Sequence, residues 1–522
     1  MEALALQNVP IFTRPDDAYF GLKDYLGSLE ALRMDHSKLE QELAKRGGEL
    51  LRMLLQAHLD LRSPGEAIGE VRDEEGSVRT QARLHSRQLE TLFGTVDVDR
   101  MGYGGPGMES LHPQDAALNL MPDRYSMGLR RRIAWEASRG SFEDAVETIA
   151  DTTGAHVPKR QAEELAIRAA RDFEAFYQER RQTALVREPA GKILVVSFDG
   201  KGIAMRKEDL REATRKAAEA STHQLQTRLC KGEKRNFKRM ATVGTIYTVG
   251  PFLRTPEDII QGLSGKETLR PEADRLERPR PESKRVMASL ERTPAEVIAE
   301  MFDEAEHRDP RRTRKWVALV DGNPSQLLLI VKEARRRKVR VRIIVDFIHV
   351  TEYVWRAGTD FHPSGTKELE AWVQERLLEI LRGKSGQVAA GMRRSATRRG
   401  LMPEERAQVD RCANYLTKLR YHLDYHYYLQ DGQPIATGVI EGACRHLVKD
   451  RMDVTGARWS LTGAEAILRL RAIRSSGDFD DYWAFHEKQE KKRNHEAHYD
   501  QGTIPEVHLP KVKGRPRFRL IE

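Results

Sequence analysis

Residues 314–350 read RKWVALVDGNPSQLLLIVKEARRRKVRVRIIVDFIHV, and their pattern sets the fold class. KWVALV (315–320) is, after Lys315, an unbroken apolar run ending at Asp321, as a buried strand does. Pro324 to Arg337 reads as a helix. Val341 to Val345 is a second buried strand, ending at Asp346. Strand, helix and strand within roughly 30 residues form a βαβ unit with parallel strands. Asp321 and Asp346 are therefore expected at the same C-terminal sheet edge, where open α/β folds carry their sites.

Upstream, ILVVSFDGKG (193–202) is another apolar run, and it ends at Asp199. GIAM (202–205) extends that strand or forms its return. ATVGTIYTVG (241–250) is the next strand, residues 262–285 read as loosely ordered, and Thr293 to Asp303 as a helix. Aspartates that simply close strands are the plain alternative. Clustered carboxylates, however, repel one another unless a cation intervenes, and hard oxygen ligands suit Mg²⁺ or Mn²⁺. Two such ions about 4 Å apart would bind the attacking and leaving oxygens of phosphodiester cleavage. By spacing alone, either Asp321 or Asp346 can be the partner of Asp199.

Downstream, Thr351 to about Tyr427 is helical and basic, with a cationic tract at Arg393, Arg394, Arg398 and Arg399. It reads as a helical insertion in the sheet domain. Ile440 to Met452 is helical, and Glu441, Arg445 and Lys449 recur at helical spacing on one face. They form either a surface ladder or a third metal ligand beside phosphate-binding cations. Arg458 and Trp459 follow in a glycine-containing loop, then a last helix from 461 to 473. Residues 487–511 are highly charged and are expected to be a partly disordered tail.

The N-terminal third is helical over 18–62, with a break expected at Gly47-Gly48, and residues 63–77 read as a loop. TVDVDRMGY (95–103) alternates like a strand, and GYGGPG is an excursion from a small strand pair. A second helical block spans Ser126 to Arg181. Ser141 with Asp144 resembles a helix start, Asp151 to Gly154 is a turn, and a further helix opens at Pro158. This is a helix-turn-helix outline. It would put Lys159, Arg160 and Gln161 at the start of a DNA-reading helix, with Arg130, Arg131 and Arg132 upstream as phosphate contacts. The plain alternative is a packed helix pair.

The 522 residues carry a net charge of +9, with 32% charged and 39% hydrophobic residues, enough for more than one core and favouring a polyanionic partner. Cys230, Cys412 and Cys444 are odd in number and far apart, which excludes a disulfide framework and fits a reducing compartment. The N-terminal stretch lacks the basic leader and apolar core of a signal peptide. No window approaches the roughly 18 apolar residues of a membrane span, so no membrane association is expected.

Four pieces, in this order, carry a resemblance: SFDGKG with Asp199, WVALVDGNPSQL with Asp321, DFIHVTEYVW with Asp346 and His349, and GVIEGACRHLVKDRM…GARWSLTGAEAILRLRA with Glu441. Over roughly residues 87–485 the chain resembles bacterial insertion-sequence transposases with an RNase H-like DDE core, related to the Mutator-like superfamily. The resemblance implies an α/β fold: an RNase H-like mixed sheet with flanking helices and a helical insertion, preceded by an all-helical DNA-binding region. It implies Asp199, Asp321 and Glu441 as catalytic acids holding two Mg²⁺ or Mn²⁺ ions, and so favours Asp321 over Asp346. Asp346 and His349 match the family's C/D-x-x-H pair, and Arg445, Lys449, Arg458 and Trp459 would support the site or contact DNA. Many relatives carry a cysteine pair near 102–109. Here that stretch has none, so the resemblance does not extend to a zinc module.

The implied activity is binding of element ends, hydrolytic cleavage and joining of 3′ ends to target DNA. Double-stranded DNA is the partner, with a homo-oligomer, at least a dimer, to synapse two ends. A bacterial cytoplasmic, nucleoid-associated location follows from it. An RNase H-like nuclease without strand transfer, or a transposase-derived DNA-binding protein, is the alternative. The expected division is 1–86 helical arm, 87–185 strand pair and DNA-binding helices, 186–350 catalytic core, 351–430 insertion, 431–485 remainder of the core, and 486–522 charged tail.

Overall fold

A computed structural model describes residues 11–105, 107–183, 191–220, 237–263, 277–436, 438–454 and 456–510. Cys230 and most of the 262–285 stretch lie outside them. The chain divides into two compact units, one of residues 1–176 with 479–522 and one of residues 177–478. No helix of the described residues is long and apolar enough to cross a membrane.

The first unit opens with helices Thr13–Leu26, Leu29–Leu32 and His36–Arg62. The last runs unbroken through Gly47-Gly48, contrary to the expected break. An interior glycine costs a helix only about 1 kcal/mol relative to alanine, and the leucines on both sides keep one helical register. Strands β1 (Gln81–Thr91) and β2 (Gly94–Gly104) form an antiparallel hairpin. Helices Met127–Arg139, Phe142–Thr152 and Lys159–Ala169 enclose a small core of Leu129, Ile133, Ile149 and Leu165. Ser141 and Asp144 cap the second helix reciprocally, as the sequence predicts.

The described part of the expected tail, up to residue 510, is folded on this unit; residues 511–522 lie outside the described residues. Helix Phe479–Asn494 crosses the anticipated 485/486 boundary and anchors on this unit through Tyr482, whose hydroxyl donates to the Ala169 carbonyl at 2.6 Å. Beyond it, Tyr499 is buried and bridges Asp73. Charge alone read as disorder because the aromatic anchors are spread thinly among lysines and glutamates.

The second unit is built on a five-stranded open sheet. Its strands are β3 (Ile193–Ala204), β4 (Lys238–Val249), β5 (Glu282–Ser289), β6 (Lys315–Val320) and β7 (Val341–Val345), in the spatial order β5-β4-β3-β6-β7. β3, β6 and β7 are mutually parallel; β4 runs antiparallel to both β3 and β5. GIAM extends β3. Alternation along β3 feeds two cores, as the period of a strand requires. Ile193 and Val195 join Val317, Leu319 and the helices after residue 346, whereas Leu194, Val196 and Phe198 join Ile298, Met301, Phe302 and Ile330.

β6, the helix Pro324–Arg337 and β7 lie where the sequence places them. β5 departs from expectation, because ESKR at its start looks like loop. Arg285 of that strand is buried, held 2.8 Å from Glu304 and 2.5 Å from Glu300 of helix Pro294–Arg308. Helices Phe347–Gly358, Lys367–Leu381, Ser385–Arg398, Ala407–Leu419 and Tyr425–Gln430 pack on one sheet face, and Leu461–Ser476 lies along β5.

Candidate active site

Strand register brings the three aspartates to one edge. Ser197 pairs with Leu319, and Leu319 with Ile344. Asp199, Asp321 and Asp346 each lie two residues beyond that row, at the C-terminal side of adjacent parallel strands. Their surroundings differ. Asp199 is half-buried within β3, and its Oδ1 accepts from the Gly200 N–H at 2.6 Å. Asp321 is also half-buried. Its Oδ1 accepts from the Asn323 N–H at 2.9 Å, and its carbonyl accepts from the Tyr415 hydroxyl at 3.0 Å. Asp346 is fully buried and caps helix Phe347–Gly358, accepting from the Ile348 N–H at 2.8 Å. Of the two candidates left open by spacing, Asp321 keeps the more accessible carboxylate, and Asp346 holds a helix start in place.

Glu441 arrives on a different element. Its helix Gly438–Ala443 widens into a π-helical turn at Cys444–Lys449 and closes as Asp450–Met452. Such turns free backbone carbonyls and re-aim side chains. Arg471, from helix Leu461–Ser476, donates to two carbonyls of the wide turn, those of Leu447, at 3.0 Å, and His446. The turn also alters the expected face. Arg445 lies against Asp450, at 3.6 Å, and not in a regular ladder from Glu441. Lys449 is exposed.

The helix is tied to β3 by Cys444, which the sequence reading passed over. Its buried thiol donates to Oδ2 of Asp199 across 3.1 Å. The available signal was its position one turn after Glu441 in an apolar stripe. Burial raises the thiol's pKa, and the Asp199 carboxylate raises it further.

Electrostatics link the same groups. Burial lifts the Glu441 pKa above its usual range. Asp346 adds to that lift, His349 opposes it, and Glu352 and Asp199 add again. An acid pushed up by neighbouring carboxylates marks a place where negative charge exceeds its compensation, as a cation-binding site does before its cation arrives. His349, half-buried on the first turn of its helix, is the positive influence on Glu441.

Trp459 is buried. It bridges Met205 at the end of β3, and its indole N–H donates to the Met452 carbonyl at 3.1 Å. Its place is to anchor the loop. Arg458 beside it is exposed, 5.8 Å over the Phe237 ring. In the insertion, Arg394 and Arg398 are exposed, Arg393 lies 3.6 Å from Asp410, and Arg399 stacks 4.9 Å over Phe361.

In the first unit, Lys159, Arg160 and Gln161 open helix Lys159–Ala169, with Pro158 just before it. Lys159 pairs with Glu143 at 2.8 Å, and Arg160 and Gln161 with Glu164. Arg130 is a correction. It is buried, pairs with Asp123 and donates to the Tyr125 carbonyl at 3.1 Å, so it supports the fold and cannot meet DNA. Helical periodicity turns it inward while Arg131, paired with Asp480, and Arg132, 3.3 Å from Glu136, stay at the surface.

Asp172, His486 and Glu490, also in the first unit, have ligand atoms all within 4.8 Å of one another and form a group that could hold a metal ion. All three are buried, and guanidinium groups already compensate them. Arg493 reaches Asp172 at 2.5 Å, and Arg171 and Arg493 both pair with Glu490. A cation entering there would have to displace two arginines. Among the described residues, the carboxylates of Asp199, Asp321 and Glu441 are not gathered within that spacing, as uncompensated like charges keep apart. No protein-family model matches the chain, and no curated protein is significantly similar to it.

Proposed function

We propose that the chain is a DDE-type DNA transposase with an RNase H-like core, which binds the ends of its insertion sequence, cleaves them and joins the 3′ ends to target DNA. One observation carries the reading. Asp199, within β3, and Asp321, just past the end of β6, lie at the same level of neighbouring parallel strands, and a helix bearing Glu441 is fastened to Asp199 by Cys444. The strand order, with β4 and β5 joined antiparallel on one side of β3 and parallel β6 and β7 on the other, supports the RNase H-like reading.

Asp199, Asp321 and Glu441 offer the hard oxygen donors that Mg²⁺ or Mn²⁺ prefers, and the raised pKa of Glu441 fits a site awaiting positive charge. When bound, two such ions supply Lewis acidity at the attacking and leaving oxygens. The chain's own residues do the placing. The β3 backbone fixes Asp199, Tyr415 ties down the turn at Asp321, and Asp346 holds His349 beside Glu441. Exposed Arg394, Arg398 and Arg458 in this unit, and Lys159 and Arg160 in the other, supply phosphate contacts. A second copy of the chain is part of the proposal, and Phe20, Leu29 and Leu32, exposed on the N-terminal helices, suit self-association.

The test is incubation with terminal element DNA, a target plasmid and Mg²⁺. Joined products are expected; cleavage without joining would favour a nuclease, and binding alone a DNA-binding protein. Asp199→Asn should abolish cleavage and spare binding. Undiminished cleavage by that variant would overturn the metal-site assignment.

A further inference from the structure

The first unit contains a cavity of about 660 Å³ that the transposase reading does not use. It is open to solvent at a rim carrying Glu74, Glu75 and Glu109, and its volume is that of a small-molecule site. Its inner wall is cationic. Arg87 and Arg100, on facing strands β1 and β2, converge on a single carboxylate, Asp115, at 3.5 and 2.8 Å. Arg100 and Asp115 are each more than nine-tenths buried. The polar demand of this group is not met internally. Arg87 Nε, Arg100 Nη1 and Asp115 Oδ1 have no hydrogen-bond partner. Arg79 adds a third guanidinium, balanced by Asp73 at 2.9 Å. Inside the rim, three arginines thus face two aspartates.

Two imidazoles complete the wall. His85 Nδ1 and His112 Nε2 lie 2.9 Å apart with their rings tilted, against Gly102, where a Cβ would stand 2.7 Å from the His85 ring. One proton lies between them, so one ring donates to the other. His112 is held down at about 4 by burial and by the charges of Arg100, His85 and Arg87. Burial is the larger cause; the part due to Arg100 and Arg87 is one that an anion would relieve. Met108, Leu111, Leu120 and Pro122 add an apolar part to the lining.

We propose that this cavity binds a small phosphorylated molecule, its phosphate against Arg87, Arg100 and the His85–His112 pair and its organic part against the Met108–Pro122 lining. Guanidinium forks match phosphate oxygens, and the volume exceeds that of phosphate alone. The carboxylate rim disfavours the extended polyanion of a DNA backbone.

The full-length chain tests this by calorimetry with AMP, inorganic phosphate, adenosine and a short DNA duplex at constant ionic strength. AMP should bind more tightly than phosphate, and adenosine should bind much more weakly than AMP. Arg100→Lys, which keeps the charge but loses the fork, should weaken AMP at least tenfold. In the unmodified protein, the His85 and His112 imidazole resonances should shift with AMP and phosphate but not with adenosine, which answers the question even if the variant does not fold. The proposal is overturned by no histidine shift and no heat up to about 10 mM AMP, an affinity too weak to matter. It is equally overturned by equal AMP affinity in a folded Arg100→Lys protein, or by displacement of AMP's histidine shifts by DNA alone and not by phosphate.

Discussion

The thiol of Cys444 donates to Oδ2 of Asp199 across 3.1 Å, joining two elements that lie 245 residues apart in sequence. It occupies one acceptor site of a carboxylate on the central strand and fixes the height at which the Glu441 helix meets the sheet. A serine at 444 can repeat the donation, and an alanine cannot.

Cys444→Ala should therefore lower metal-dependent cleavage by about 10–100-fold, the usual scale for removing the partner of a metal-binding carboxylate. Cys444→Ser should retain most of the activity. Cleavage rates for both variants, with DNA binding measured alongside, check this. Equal loss in both would mean that thiol packing, not its donation, matters.

Glu441 titrates above its ordinary value of 4.5, because burial and then Asp346 disfavour its charge, with His349 opposing. A raised carboxylate pKa means that the folded protein holds a proton the unfolded chain has released. The stability that this proton contributes is complete below the ordinary value and is lost as pH rises through the raised one. In EDTA, Glu441→Gln should thus raise Tm relative to the unmodified protein, and the difference should grow with pH through that window. Added Mg²⁺ should stabilise the unmodified protein and not the variant. Thermal scans across pH with and without Mg²⁺ provide the measurement.

Gly322 follows Asp321 with a φ of +89°, and a Cβ there would stand 2.6 Å from Cδ1 of Leu419. Gly322→Ala should cost at least about 1–2 kcal/mol from backbone handedness alone. It should also displace the loop that carries Asp321, so cleavage should fall further than stability does. Comparing the drop in Tm with the drop in rate separates the two effects.

Glu304 lies between Arg285 and Arg308, 2.8 Å from each. Burial would raise its pKa, but the two guanidiniums override burial and hold it down to about 2. A depressed carboxylate contributes stability that is present above its unfolded value and lost as pH falls toward the folded one. Glu304→Gln leaves Arg285 buried with one fewer counter-charge and should cost about 3–5 kcal/mol at neutral pH. The loss should shrink in acid, a trend that denaturant melts at pH 7 and below pH 4 would reveal.

The sequence by itself determined the elements whose pattern is strong. β6, its following helix and β7 fall where KWVALV, Pro324–Arg337 and VRIIV place them, because the buried parts of such strands are apolar and a βαβ connection has one favoured geometry. It also put Asp321 and Asp346 at strand ends; Asp199, expected at a third, lies inside β3, which runs on to Ala204. Tertiary structure alone decided what charge patterns conceal. Arg285 turns ESKR into a strand by pairing with acids on a helix reached only after folding, and the lysine-rich segment up to residue 510 is held by Tyr482 and Tyr499 meeting partners hundreds of residues away. The same holds at the site. Nothing local distinguishes Cys444 from a core cysteine, or Arg130 from its exposed neighbours. Which atom a side chain meets is fixed by packing between distant segments, and periodicity reports only the face on which that side chain sits.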